Sequence, residues 1–223
     1  MNLKNEPSIL GKKPHLNHEN ALWTNGALWV AGIDEAGRGA LAGPVVAAAV
    51  ILPQNINIDS ILEGVRDSKK MTTIQRENWK EVIIGFAVTY GIGAASAQEI
   101  DNIGIVPATK EAASRAIESL AISPDCLLLD YLNLPQYPIL QISLVRGDEN
   151  SLSIASASVL AKTARDAILI DFDDRYPGYG FANHKGYGTK KHFRMLQQLG
   201  PSPVHRMSFA PISQNKGNSQ VLI

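Results

Sequence analysis

The chain has 223 residues, 45% of them hydrophobic and 19% charged, and its 21 basic residues balance its 21 acids. That length suits one domain with a real core and leaves too little for two. Zero net charge excludes nucleic-acid binding by bulk charge, so any such binding must come from a local basic patch. The lone cysteine, Cys126, excludes an internal disulfide and reads as a small core hydrophobe. No apolar run approaches the ~18 residues of a membrane span, and the polar N-terminus has no signal-like region. A cytoplasmic monomer with no membrane association is the expectation.

Residues 1–26 lack periodicity and are expected to form a loose tail, as is the end from Ser213; one domain over 27–212 lies between. "ALWVAGIDE" and "PVVAAAVIL" read as strands buried on both faces. "TTIQRENWKEVII" reads as a helix capped by Thr72 or Thr73, with Ile74, Trp79, Val82 and Ile83 on its buried side. "GFAVTYGIGAA" is a third strand. "SAQE" has the form of a capping box, and "PATKEAASRAIESLAI" continues as helix with Pro107 in its first turn. "CLLLDYL" and "ILQISLV" are the fourth and fifth strands. "SLSIASASVLAKTARDAILIDF" is a long helix with small residues at Ala155, Ser156, Ala157 and Ser158, suited to close packing on a sheet. This order predicts an α/β fold with a mixed sheet and helices packed on it.

Four acids end or follow apolar strands: Asp34, Glu35, Asp130 and Asp148. A loop position or a helix cap would explain any one of them, Asp148 above all. Four together point to convergence at one sheet end. Two like charges ~4 Å apart repel by roughly 4 kcal/mol at an effective dielectric near 20, so such a cluster needs neutralising. All-oxygen ligands favour Mg²⁺ or Mn²⁺ over zinc, for which no histidine and cysteine spacing exists. One objection stands: strand neighbours point to opposite faces, so Asp34 and Glu35 share a site only if the backbone leaves the pleat, as Gly37 and Gly39 would permit.

The segment after these acids, "AGRGALAG", is neither a dinucleotide fingerprint nor a phosphate-binding Walker loop. As a bare turn it offers exposed backbone and one guanidinium, Arg38, to a nucleic-acid backbone. "HKGYGTKKHFR" carries Lys185, Lys190, Lys191 and Arg194 with no acid, which is the local basic patch that zero net charge requires; a solvated helix face is the plainer alternative. "RDSKK", with Ser68 and Lys69, is a shorter candidate for phosphate contacts. "DFDDR" reads as a solvated helix end, and nothing in the spacing of His205 and Arg206 argues for a role.

Taken together, "AGIDEAGRGALAGPVVAAAVIL", "DSKKM", "LLLDYL", "VRGDENSLSIASASVLAKTARD" and "HKGYGTKKH" resemble the signatures of bacterial ribonuclease HII, in order, from Val30 to Pro211. The resemblance implies an RNase H-like fold, with a five-stranded mixed sheet flanked by helices and a helical C-terminal part. It implies hydrolysis of RNA in RNA–DNA hybrids and nicking 5′ of a ribonucleotide in duplex DNA, leaving a 3′-hydroxyl and a 5′-phosphate. Two divalent ions, Mn²⁺ or Mg²⁺, would be held by Asp34, Glu35, Asp130 and Asp148. Gly37, Arg38, Gly39 and Tyr187 would read the ribose; Lys185 of the basic patch and Ser68 and Lys69 of "RDSKK" are added to these as candidate substrate contacts. Tyr131 departs from the pattern, since similar proteins carry Gly after the third acid; Ser156, where Ala is usual, looks harmless. Two rivals are another metal-dependent RNase H-like nuclease and a non-catalytic hybrid-binding module. Ribonuclease HIII is a near neighbour, but its added N-terminal domain would not fit in 26 polar residues.

Overall fold

The computed structural model describes residues 13–54 and 57–214. Its five strands are β1 (Val30–Ala36), β2 (Val45–Ile51), β3 (Thr89–Ala95), β4 (Cys126–Asp130) and β5 (Leu140–Leu144), in the spatial order β3-β2-β1-β4-β5. β2 pairs antiparallel with both β1 and β3, while β1, β4 and β5 are parallel. The sheet is therefore mixed, as expected. Every residue of β2 is buried, because helices cover both faces.

Helices form where caps and packing coincide. α3 (Thr73–Phe86) starts at Thr72, whose hydroxyl accepts from the Gln75 amide in a capping box. Ile83 is buried in it and Trp79 and Val82 pack beside the core, but Ile74 is 74% exposed and leaves the expected buried side. The helix also takes in Gly85 and Phe86, so β3 begins only at Thr89. α4 (Ala97–Ile103) carries the Ser96–Glu99 box, and α5 (Ile105–Glu118) packs Ala108, Ala112 and Ala116 on one sheet face. Cys126 is buried among apolar neighbours, as expected.

The opposite face belongs to α7 (Leu152–Arg175), with Ala155 to Ser158 all buried. It lies unusually close to β1: a Cβ on Gly32 would sit 2.3 Å from the Ser153 backbone. Ser156 donates to the Leu152 carbonyl at 2.8 Å, so its buried hydroxyl is satisfied within the helix. Two short helices, α2 (Ile58–Ile61) and α6 (Gly147–Asn150), precede α3 and α7; α8 (Phe181–His184) and α9 (Lys190–Leu199) form the helical C-terminal part.

The stretch expected as a loose N-terminal tail needs correction. α1 (Asn17–Thr24) lies inside it, with Leu22 against Val30, Leu128 and Ile154. Glu19 is fully buried, and its Oε1 accepts from the Ser151 hydroxyl (2.6 Å) and from the Ser153 hydroxyl (2.6 Å) and amide (3.0 Å). An acid anchored at the start of α7 leaves no hydrophobic periodicity, which is why the pattern reading passed over this helix. The remaining tail expectations, over 1–12 and 215–223, lie outside the described residues.

Candidate active site

β1 and β4 are parallel neighbours in register up to Ile33 and Leu129. The next residue on each is an acid, Asp34 and Asp130, and in a parallel pair the two leave the sheet on the same face. α6 brings Asp148 over that face from the end of β5. Carboxylate oxygens of Asp34, Asp130 and Asp148 all lie within 4.8 Å of one another. The Gly147 amide donates to Asp130 Oδ1 at 2.7 Å, which ties the start of α6 to the end of β4.

Glu35 is not in this group. β1 keeps its register with β2 through Glu35 and Ala36, so the backbone stays in the pleat at both acids and turns only afterwards, at Gly37. Its carboxylate pairs with Arg38 at 3.1 Å and remains close enough to Asp34 and Asp130 to act on them electrostatically. It still lines a cleft of about 650 Å³ together with Gly37, Arg38, Gly39, Ser68, Lys69 and Tyr187. The structure thus collects three of the four expected acids into one cluster and sets the fourth at its border.

Electrostatics match this crowding. Burial, then Glu35 and Asp130, hold the Asp34 carboxyl well above the usual range, against a hydrogen bond from Ser158. Burial, then Asp67 and Asp130, push Asp148 up to about 6. Glu35 is raised by burial, with Arg38 opposing. For Lys69 burial works against the charge, but Asp34, Asp148 and Asp67 prevail and raise it; its Nζ stands 3.9 Å from Asp148 Oδ2. One cation at that distance leaves the acids under-neutralised. Three converging oxygen donors around a shared deficit of positive charge fit a hard divalent cation.

Ser68, expected to meet substrate, is 3% exposed and shares a hydrogen bond with Ser158 at 2.9 Å, so it reaches Asp34 through α7. Lys69, beside it, is exposed. Beneath them Arg76 donates to the Ser68 and Met71 carbonyls (3.2 and 2.7 Å) and pairs with Asp166 at 3.0 Å. Lys162 pairs with the same carboxylate at 2.6 Å.

The glycine turn is held from inside by two arginines that, among the described residues, form no ion pair with a carboxylate. Arg165 donates to the carbonyls of Pro44 (2.9 Å), Ala42 (3.0 Å) and Lys185 (3.0 Å). Arg206 donates to Gly43 (3.0 Å), Arg38 (2.8 Å) and Gly37 (2.8 Å). Both are fully buried. Gly37, at φ +97°, could carry no side chain, because a Cβ would fall 1.9 Å from Arg165 Nε. Gly39 differs: a Cβ there would meet nothing within 4 Å. Packing explains the first glycine and not the second.

Across the cleft, Tyr187 lies with its ring 5.3 Å from the Arg165 guanidinium and 5.7 Å from Lys162 Nζ. Its loop is fixed by Leu41, whose amide donates to the Gly186 carbonyl at 2.8 Å, and by His192, whose Nδ1 lies 2.9 Å from the Tyr187 carbonyl. Lys185 bends back onto the Ala182 carbonyl and adopts a left-handed backbone, so of that basic stretch Lys190, Lys191 and Arg194 are the exposed members. Arg206 and its neighbour His205 are the residues that sequence reasoning set aside. The only signal available was their place just before the end of the matched region.

A mixed sheet in this strand order is an RNase H-like fold, and the acids clustered where two parallel strands end have the donor set of a divalent-cation site. The comparisons narrow the class. The ribonuclease HII family profile matches residues 31–212. Ribonuclease HII of Desulfitobacterium hafniense (strain Y51) is 50% identical over 199 residues, covering 89% of this chain and 75% of the relative. That of Synechococcus sp. (strain JA-3-3Ab) is 50% identical over 200 residues, 90% of each chain. The crystal structure of ribonuclease H2 from Pyrococcus horikoshii OT3 superposes with a TM-score of 0.72 at 25% identity, covering 85% of this chain and 98% of that one. The chain belongs to the ribonuclease HII family, and it is a nuclease. Among the described residues, no helix is long and apolar enough to cross a membrane.

Proposed function

We propose that this protein hydrolyses RNA in RNA–DNA hybrids and nicks duplex DNA on the 5′ side of an embedded ribonucleotide, with Mg²⁺ or Mn²⁺ at Asp34, Asp130 and Asp148 and with Glu35 completing the set. The observation that carries the reading is the placing of this acid cluster beside a rigid, side-chain-poor turn and a half-exposed tyrosine. Two divalent ions, when bound, would supply an activated water and stabilise charge on the leaving oxygen. The protein's own residues do the rest. Asp34 and Asp130 present oxygens from neighbouring strands, and Ser158 and the Gly147 amide orient them. Lys69 and Arg38 sit where phosphate oxygens would arrive.

Acids and ions cut any phosphodiester, so the choice of RNA rests elsewhere. The 2′-hydroxyl both donates and accepts. The turn from Gly37 to Gly39 offers backbone groups to it, and Tyr187 offers an apolar face and a polar tip to a neighbouring sugar. Basic residues around the cleft supply the attraction that a neutral chain lacks overall.

The deciding assay uses duplex DNA carrying one ribonucleotide, incubated with Mg²⁺ or Mn²⁺. Nicking 5′ of the ribonucleotide, abolished by Asp34→Asn, is expected. Absence of nicking by folded, metal-supplied protein would remove this reading, and tight hybrid binding without cleavage would favour a binding module in its place.

A further inference from the structure

Among the described residues, three that are not glycine have left-handed backbones: Tyr131 (φ 48°), Arg146 (φ 54°) and Lys185 (φ 51°). All three adjoin the site. Tyr131 follows Asp130, Arg146 precedes the Gly147–Asp148 pair, and Lys185 precedes Gly186–Tyr187. Such conformations cost of order 1 kcal/mol or more for a residue with a Cβ, and they persist where surroundings over-determine them.

Those surroundings are visible. The Tyr131 amide donates to the Leu144 carbonyl at 3.0 Å, extending the β4–β5 ladder by one residue. Leu132 and Leu134 are buried immediately after it. Asn150 Nδ2 donates to the Arg146 carbonyl at 2.7 Å and to that of Val145 at 3.3 Å. The side chains, by contrast, reach largely into solvent. Tyr131 is 74% exposed and Val145 70%. The Arg146 guanidinium is 4.0 Å from Glu149, whose carboxylate also takes Lys70 at 2.5 Å. A bulky aromatic kept in a conformation that glycine adopts freely, with most of its surface in solvent, is not explained by core packing.

Position suggests the ligand. Register sets Tyr131 beside Val145 at the ends of β4 and β5, whereas the glycine turn and Tyr187 stand at the β1–β2 end, with Asp34 and Asp130 between. We propose that Tyr131, Val145 and Arg146 form a second nucleic-acid contact on the flank of the acid cluster opposite Tyr187. The Tyr131 ring takes a sugar or base face and Arg146 a phosphate. Strands are ~4.8 Å apart, so β1 to β5 spans roughly 10 Å, or about three base steps at 3.4 Å. The contact therefore falls two to three nucleotides from the scissile linkage. This extension rests on the nuclease reading above.

The test compares wild type, Tyr131→Gly and Arg146→Asn on ribonucleotide-containing duplexes whose arms are trimmed from one side or the other. Both replacements suit a left-handed position, so thermal stability should be unchanged or higher. The expected result is a KM raised roughly tenfold, in the range of one lost stacking or phosphate contact, with kcat within about twofold. Trimming one arm, and not the other, should weaken the wild type and leave Tyr131→Gly unaffected. Unchanged KM with wild-type arm dependence overturns the proposal while leaving the nuclease reading intact. So does a fall in kcat at constant KM, which would show only that Asp130 had shifted. No cleavage by the wild type overturns both.

Discussion

Replacing Asp148 by asparagine separates the cost of the acid cluster from its use. The Asp148 carboxyl titrates at about 6 in the folded chain against an ordinary 3.8. At 1.36 kcal/mol per pKa unit, carrying that charge above pH 7 costs the fold at most ~3 kcal/mol, and less once screening from the open cleft is allowed for. Asparagine keeps the shape and drops the charge, so metal-free Asp148→Asn should be more stable than wild type by about 1–3 kcal/mol at pH 8, at roughly 2–4 °C of Tm per kcal/mol. The sign follows from the raised value. Above pH 6 the folded protein carries the full penalty; as pH falls from 6 to 4 the carboxyl takes up its proton and the variant's advantage should vanish. Urea titrations in chelator at pH 8 and pH 4 measure this. Added Mg²⁺ or Mn²⁺ should then stabilise wild type more than the variant. A variant less stable than wild type in chelator at pH 8, or an advantage independent of pH, would refute the electrostatic account.

Other variants probe the supports. Arg206→Lys should cost about 2–4 kcal/mol in chemical denaturation, because one ammonium cannot serve three buried carbonyls; cleavage measured well below the variant's Tm should fall further than stability predicts. Gly39→Ala should fold with wild-type Tm, since its methyl meets nothing within 4 Å, yet cleave at least tenfold more slowly if a nucleic-acid backbone passes there. A normal rate would show that Gly39 is merely tolerated. Glu19→Ala should lose ~2–4 kcal/mol by stranding the Ser151 and Ser153 donors, with kcat kept on the fraction that remains folded.

Legibility in the sequence followed the kind of interaction involved. Five strands along the chain, a cap at Thr72 or Thr73 and the capping box at Ser96 could be read because periodicity and caps are local. The acids could be read because carboxylates ending apolar strands are costly without a purpose. Their convergence was an expectation whose geometry depends on pairing: β1 and β4 had to be parallel neighbours before Asp34 and Asp130 shared a face. The same register keeps Glu35 in the pleat, yet its carboxylate still lines the cleft and acts on Asp34 and Asp130. Ile74 was misjudged because a periodic helix offers more apolar positions than one contact face uses. α1 was missed because its anchor is a glutamate.

The buried arginines mark where such reading stops. A guanidinium without a carboxylate partner is among the costlier groups to bury, and nothing in "PVHRMSF" signals that Arg206 would be. In the fold, burial and then Arg165 bring its pKa down to about 9, so the environment resists the charge. Three carbonyl dipoles and the Phe209 ring, 5.1 Å from Cζ, offset that resistance. These carbonyls all belong to the turn from Gly37 to Gly43. A loop so rich in glycine and alanine would otherwise lose much conformational entropy on binding a ligand. With Arg165 and Arg206 fixed inside it, that loss has already occurred on folding. The bare turn and the two buried cations therefore form one device: the first gives a polymer backbone room to approach, and the second keeps that room in one shape.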